Sequence, residues 1–197
     1  MWQARTLRWA RVGATGQARS QWRERRGAYL EYKAVKAQGK YAEAEPFARK
    51  ALELGKEEFG PNHQSYATLL NNLAELLRVT NRLAEAEPMY RRSLAIVEQS
   101  FGKDHPKVAI HLHNLATLLH GTNRLAEAEP MMRRALAIDE QSFGEDHPNV
   151  AIRLNNLAQL LKATDRLADA EPLMERVVEM TEKSYGPNHP NVAAALN

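Results

Sequence analysis

A unit of forty-two residues recurs along this chain, and a recurrence of that length leaves few folds open. Residues 71–106, NNLAELLRVTNRLAEAEPMYRRSLAIVEQSFGKDHP, align without a gap to residues 113–148, HNLATLLHGTNRLAEAEPMMRRALAIDEQSFGEDHP, and differ at eight of thirty-six positions. A third copy over 155–190 is more diverged but keeps NNLAQLL, RLADAEP and a closing Gly-Pro-Asn-His-Pro. A weaker copy from Lys40 to His63 supplies KYAEAEPFARKAL and then FGPNH. Each copy is too small to bury its own apolar face. Stacked copies bury one another's, so about three are needed for stability.

Within a copy the apolar pattern resolves into two helices. Leu70, Leu73, Ala74 and Leu77 follow the i, i+3, i+4, i+7 spacing of one helical face, and Leu83, Ala86, Tyr90, Ser93 and Leu94 mark a second. Thr80-Asn81-Arg82 lies between them, and Asn tolerates the left-handed backbone that ends one helix and can cap the next. Gly102 is placed to end the second helix with a positive φ, and Pro106 to restart a first helix where its missing N–H costs nothing. Pro88 falls about a turn into the second helix and is expected to forfeit a hydrogen bond. Alanines at 74, 86, 116, 128, 158 and 170 stand where helices must approach closely.

Composition agrees with a helix-rich chain: aromatics are 7%, charged residues 26%, and there is no cysteine. The absence of cysteine excludes a disulfide framework and thiolate metal sites, and a reducing cytoplasm is the expected compartment. No apolar run approaches the roughly 20 residues of a membrane span. The net charge of +3 is uneven. Residues 1–28 hold seven arginines (Arg5, Arg8, Arg11, Arg19, Arg23, Arg25, Arg26) against Glu24, or +6, which leaves −3 for the rest. We read 1–28 as a basic Arg/Trp-rich arm, expected to be poorly ordered. The repeats then occupy 29–197, with units at about 29–64, 65–106, 107–148 and 149–190 and a truncated unit from 191.

The pattern LNNLA, a turn, RLAEAEP, a long second helix and FGxxHPxVA resembles the tetratricopeptide repeat of kinesin light chains and related bacterial proteins. The ordinary unit of that family is about 34 residues, and the extra length resembles the light-chain variety. The resemblance covers roughly 29–197. It implies an all-α fold, a right-handed superhelical solenoid of antiparallel helix pairs. The earliest copy departs from the pattern, with Glu31 and Tyr32 where the others have Leu-Ala, so that unit reads as a cap or a frayed end.

Chemistry-bearing constellations are scarce. His63, His105, His147 and His189 recur at the repeat spacing. Packed helix axes lie about 10 Å apart while a zinc ligand sits about 2 Å from its metal, so these histidines cannot form one site. They read as helix-capping residues beside Asp104, Asp146 or Asn188. His111 and His113 point to different sides of one helix, and His113 and His120 are two turns apart. Glu85 and Glu87, repeated as Glu127 and Glu129, sit in a first helical turn, where the dipole favours negative charge. Met89, Met131, Met132, Met174 and Met180 read as core filling. There is no phosphate loop, no nucleophile arrangement and no HExxH, so the chain reads as a non-enzyme without cofactor or metal.

Recognition is sought where the copies differ on one face. Four of the eight differences in the close pair lie in the first helix: Asn71/His113, Glu75/Thr117, Arg78/His120 and Val79/Gly121. Their spacing puts 71, 75 and 78 on one stripe, and the third copy reads Asn155, Gln159 and Lys162 there. By resemblance to the family, this stripe faces a ligand on the concave side. The unvarying Asn72, Asn114 and Asn156 beside it resemble an asparagine that hydrogen-bonds a bound peptide backbone. An amide carries both a donor and an acceptor for that task.

The expected function is a scaffold that binds a peptide or partner protein in the groove formed by the first helices. Arg78, His120 and Lys162 point to some acidic character in the ligand. The alternative is a structural spacer or oligomerisation module associating through exposed repeat ends. Nucleic-acid binding through the arm, where Trp2, Trp9 and Trp22 interleave with arginines, ranks below both.

Overall fold

The computed structural model of the protein describes residues 16–186. The arm ahead of Gly16, His189 and the unit expected from residue 191 lie outside the described residues. Eight α-helices and no strand occur among the described residues: α1 Gly16–Ala37, α2 Tyr41–Phe59, α3 Gln64–Val79, α4 Leu83–Phe101, α5 Pro106–Gly121, α6 Leu125–Phe143, α7 Pro148–Ala163 and α8 Leu167–Tyr185. The described residues fall into two compact units, one up to Ser93 and one from Leu94.

In the first unit α1 packs on α2 and α2 on α3. Ala44, Ala48 and Ala51 are buried along α2, where small side chains let the helices close up, and Ala28, Ala51 and Leu69 form a local core. The expected start at residue 29 falls inside α1, which runs unbroken from Gly16. The reason is Arg25: its side chain is buried, its Nε donates to Glu58 at 2.6 Å, and its guanidinium lies 4.6 Å from the centre of the Phe59 ring. Tyr32 is also buried, and its hydroxyl donates to the Asn72 carbonyl. The departure at Glu31-Tyr32 therefore serves an ordered helix that covers α2 and α3.

In the second unit α5 packs on α6, α6 on α7 and α7 on α8. Val150, Leu154, Val177 and Met180 form a core there, with Leu136 and Leu173 against it. The recurring alanines 116, 128, 158 and 170 are all buried, as are Ala74 and Ala86 of the first unit. Among the methionines, Met132 and Met180 are buried, while Met89, Met131 and Met174 are half-buried.

Boundary chemistry repeats copy by copy. Asn81, Asn123 and Asp165 hold φ of 60°, 59° and 57°, the left-handed conformation that a short polar side chain tolerates best. They do not cap the following helix. The residues before α6 and α8 are Arg124 and Arg166, which make no side-chain cap bond and pair instead with Glu127 and Asp169 three residues on. Gly60, Gly102, Gly144 and Gly186 end the second helices at φ between 81° and 86°. The histidines are themselves the caps: Nδ1 of His63, His105 and His147 accepts from the backbone N–H of Ser65, Lys107 and Asn149 at 3.1, 3.1 and 3.2 Å. Each ring stacks on the phenylalanine that closes the preceding helix, with centroids 5.2, 4.6 and 4.6 Å apart for Phe59, Phe101 and Phe143. The Phe-Gly-x-x-His spacing thus builds a platform and a cap together.

One seam position is filled differently in each copy. In the first unit Gly55 faces Leu69, whose Cδ1 would lie 2.2 Å from a Cβ added to the glycine. The same positions forty-two residues on are Val97 and His111, and forty-two further Asp139 and Arg153, all four buried. Arg153 Nε donates to the Asp139 carboxylate at 2.9 Å, with both side chains under a tenth exposed.

Candidate functional site

The first helix of each copy buries one broad face, and what remains includes the stripe that the copy comparison singled out. On α5, residues 108, 109, 111, 112, 115, 116, 118 and 119 are buried. His113, Asn114, Thr117 and His120 are half-buried on the opposite face. On α7, Asn155 and Asn156 are half-buried, and Gln159 and Lys162 are exposed. Lys162 makes no ion pair among the described residues. The Thr117 hydroxyl donates to the His113 carbonyl of its own helix at 2.9 Å.

Both stripes continue one turn toward the helix start, to residues that the copy comparison passed over. Ile110 is 49% exposed and Ile152 52%, each three residues before the position of His113 or Asn155. They lie just ahead of the aligned segments, which begin at residues 71, 113 and 155, so a comparison of those segments does not reach them. Their signal was an apolar side chain in phase with a polar stripe. In α3 the same place is Thr68, which is exposed.

On α3 the stripe is tied up internally. Arg78 forms a two-armed pair with Glu75, both arms 2.8 Å, and the buried Tyr90 donates its hydroxyl to the same carboxylate at 2.8 Å. Burial alone would raise the Glu75 pKa, but the bonds from Arg78 and Tyr90 outweigh it and hold the carboxyl below its usual range. Burial, with the Glu75 charge beside it, pushes the Tyr90 phenol well up, and the bond to Glu75 does the same for the Arg78 guanidinium. Asn72 takes part through its carbonyl, which accepts from Tyr32, whose phenol is pushed up to about 12, chiefly by burial. Asn71 is half-buried beside it.

The second helices carry charge of a different kind. Arg134 reaches Glu98 at 2.6 Å and Arg176 reaches Glu140 at 2.6 Å, the same contact one repeat apart. Arg82 pairs with Glu45 and Glu85, and Arg166 with Glu129 and Asp169. For Glu129, burial opposes ionisation, and Arg133 and Arg166 more than offset it. The glutamates expected to serve only the helix dipole therefore also lace one copy to the next. Among the described residues no group of three or more His, Asp or Glu side chains could hold a metal ion. No helix there is long and apolar enough to cross a membrane.

A paired-helix unit of forty-two residues, closed by Phe-Gly-x-x-His and stacked on alanines, now meets the comparison with known proteins. The family model of the tetratricopeptide repeat matches residues 27–99, 65–141, 123–183 and 151–197. The chain is a tetratricopeptide-repeat protein. Among solved structures, BtubC (BKLC) from P. vanneervenii is similar at 26% identity and a TM-score of 0.74, over 83% of this chain and 65% of that one. A kinesin light chain-like protein of nearly identical TPR-like repeats from Podosopora anserina is similar at 20% identity and a TM-score of 0.76, over 86% of this chain and 81% of that one. The apo form of RapI shares the fold at 15% identity and a TM-score of 0.70, over 93% of this chain and 62% of that one. None of the curated proteins matches the sequence. The chain thus spans a little under two-thirds of BtubC and of RapI, and carries the repeat fold of kinesin light chain-like proteins.

Proposed function

We propose that this tetratricopeptide-repeat protein is a protein-interaction scaffold that holds an extended segment of a partner on the first-helix stripes of α5 and α7. The observation that carries the reading is the make-up of those stripes. Each runs from an exposed isoleucine, through an asparagine pair or a His-Asn pair, to a basic or titratable residue: Ile110 to His120 on α5, Ile152 to Lys162 on α7. Neither contains an acid. Isoleucine offers apolar area to a partner side chain, worth about 25 cal/mol per Å² removed from water. Asn114 and Asn156 offer amides that can donate to and accept from an extended backbone, and Lys162 favours an acidic residue in the ligand.

On the second helices the arginines are already held by carboxylate, amide or carbonyl oxygens of the fold. Peptides selected from a displayed random library against the intact chain supply the test. Asn114→Ala with Asn156→Ala should weaken the selected peptides at least about tenfold, a loss of roughly 1.4 kcal/mol, while helical content by circular dichroism stays unchanged. Ile110→Ser with Ile152→Ser should do the same. Unchanged affinity in both pairs would remove the stripe as the binding surface.

A further inference from the structure

Pairing divides the arginines of this protein into two groups. From Arg49 to Arg176, every one donates to a carboxylate, amide or carbonyl oxygen. In α1 only Arg25 does so, and it is buried. Arg19, Arg23 and Arg26 are exposed and make neither a hydrogen bond nor an ion pair among the described residues. At 100° per residue these three fall within a 60° arc of α1, and Leu30 and Lys33, both exposed, continue the same face. Trp22 borders it, half-buried, with the Arg26 guanidinium 5.2 Å from its ring centre. Glu24 and Glu31 lie well to one side of that arc.

We infer that this face of α1 binds single-stranded nucleic acid through its phosphate backbone, without base selectivity. Three cations held together without counter-charges in the fold have a direct use for a polyanion. Arginine outnumbers lysine on the face, and guanidinium forks match phosphate oxygens in a two-armed geometry that an ammonium cannot make. From Arg19 to Arg26 the helix advances about 10 Å at 1.5 Å per residue, the axial span of about three phosphates of one strand at 3.4 Å each. Trp22 supplies a ring on which a base can stack, with Arg26 already holding the geometry of such a contact.

A lipid surface fits less well. An interfacial helix needs a free apolar face, whereas that side of α1, with Ala28 and Tyr32, is spent on the first unit's core, and Leu30 is the one large apolar residue left at the centre of the basic face. The residues of this α1 face are other than those of the α5 and α7 stripes, so its test does not depend on the binding proposed for them.

The test is fluorescence anisotropy of a labelled thymidine oligonucleotide and of a duplex of equal length, titrated with the full chain at several salt concentrations. We expect the single strand to bind more tightly than the duplex, with affinity falling steeply as salt rises. Arg19→Gln, Arg23→Gln and Arg26→Gln together should cut that affinity about tenfold or more and flatten the plot of log affinity against log salt by about two, at roughly 0.7 for each phosphate no longer neutralised. The corresponding triple lysine variant should recover part of the affinity. Arg49→Gln with Arg91→Gln, which removes paired cations, should leave it unchanged. The inference is overturned if the intact chain does not bind the oligonucleotide, if the triple glutamine variant binds as well as the parent, or if the duplex binds as tightly as the single strand. It is equally overturned if vesicles containing phosphatidylserine, and not the oligonucleotide, bind in a way that depends on the three arginines.

Discussion

The stripe of α3 and the stripe of α5 occupy the same place in nearly identical copies, yet an ion-paired Glu–Arg–Tyr set closes the first and has no counterpart in the residues of the second. On α3, Glu75, Arg78 and Tyr90 neutralise and bond one another, so a ligand would first have to break a two-armed ion pair. On α5, the same three positions hold Thr117, His120 and Met132. The threonine bonds to its own helix, and no carboxylate remains for a ligand to displace. Two of the eight positions that separate these copies, 75/117 and 90/132, are thus one physical event: the tyrosine hydroxyl and the glutamate that accepts from it arrive together and leave together. A repeat frame tolerates such exchanges because its own stability rests on the alanines, leucines and caps that do not vary.

The seams make the same comparison inside the core, and they carry the largest expected effect. Asp139→Val would leave the Arg153 guanidinium buried without its partner, at a cost of about 3–5 kcal/mol. That should appear as a large drop in urea midpoint. Importing both residues from the preceding copy, Asp139→Val with Arg153→His, should recover most of the loss, because valine and histidine are both buried at those positions there, as Val97 and His111. A single Asp139→Val that unfolds at the parent's midpoint would show that the ion pair does not set this seam.

His111 gives the second effect, readable as pH dependence. Burial drives its imidazole pKa down from 6.5 to about 4. The folded state therefore resists protonation while the unfolded chain accepts it. Stability is complete above about pH 6.5 and falls as pH drops toward 4, by up to roughly 3 kcal/mol at 1.36 kcal/mol per unit. Below that it levels off, since both states then carry the proton. His111→Leu, the residue that the preceding copy has at Leu69, should remove this part of the acid slope in denaturation curves run across that range. Equal slopes in the two proteins would mean that the histidine charges freely in the fold.

Exchanging the stripes tests their difference directly. Thr117→Glu, His120→Arg and Met132→Tyr together should close the α5 stripe as α3 is closed, and lower affinity for library-selected peptides about tenfold, near 1.4 kcal/mol. Tyr90→Phe in the parent removes one hydrogen bond to Glu75 and should cost about 1 kcal/mol of stability, with no change in peptide affinity. If the closed α5 binds peptide as before, internal pairing is not what distinguishes the two stripes.

Much of this was legible in the repeat itself. The period, the paired helices, the left-handed Asn81 and the glycine stops all follow from residue types at fixed spacing, because backbone sterics act locally. The capping role of His105 was legible, but its ring stack on Phe101 was not, since the platform lies four residues back across a chain reversal. The start of α1 is not legible in the sequence for a related reason. Arg25 looked like one charge in a basic run, and only its burial against Glu58 and Phe59, thirty-three residues or more away, marks it as core. The exposed Ile110 and Ile152 stand one turn ahead of the segments that align from residues 71, 113 and 155, and only their exposure in the fold joins them to the stripe.

The smallest effect belongs to Gly55, where two terms of similar size oppose each other. Alanine in a helix interior is favoured over glycine by about 1 kcal/mol, so Gly55→Ala should stabilise α2 on propensity alone. The added Cβ, however, would sit 2.2 Å from Leu69 Cδ1, and Leu69 is a core residue with Ala28 and Ala51 against it. Forcing a methyl group into a packed core costs about 1–3 kcal/mol, so the net expectation is a loss of about 1 kcal/mol. Leu69→Val takes away the terminal methyl that clashes and lets the propensity term emerge: Gly55→Ala should then stabilise the Leu69→Val background rather than weaken it. A double-mutant cycle by urea denaturation reads that reversal of sign, and a cycle with no coupling would show that Leu69 turns aside without cost, making the first unit's seam looser than the buried ion pair of the second.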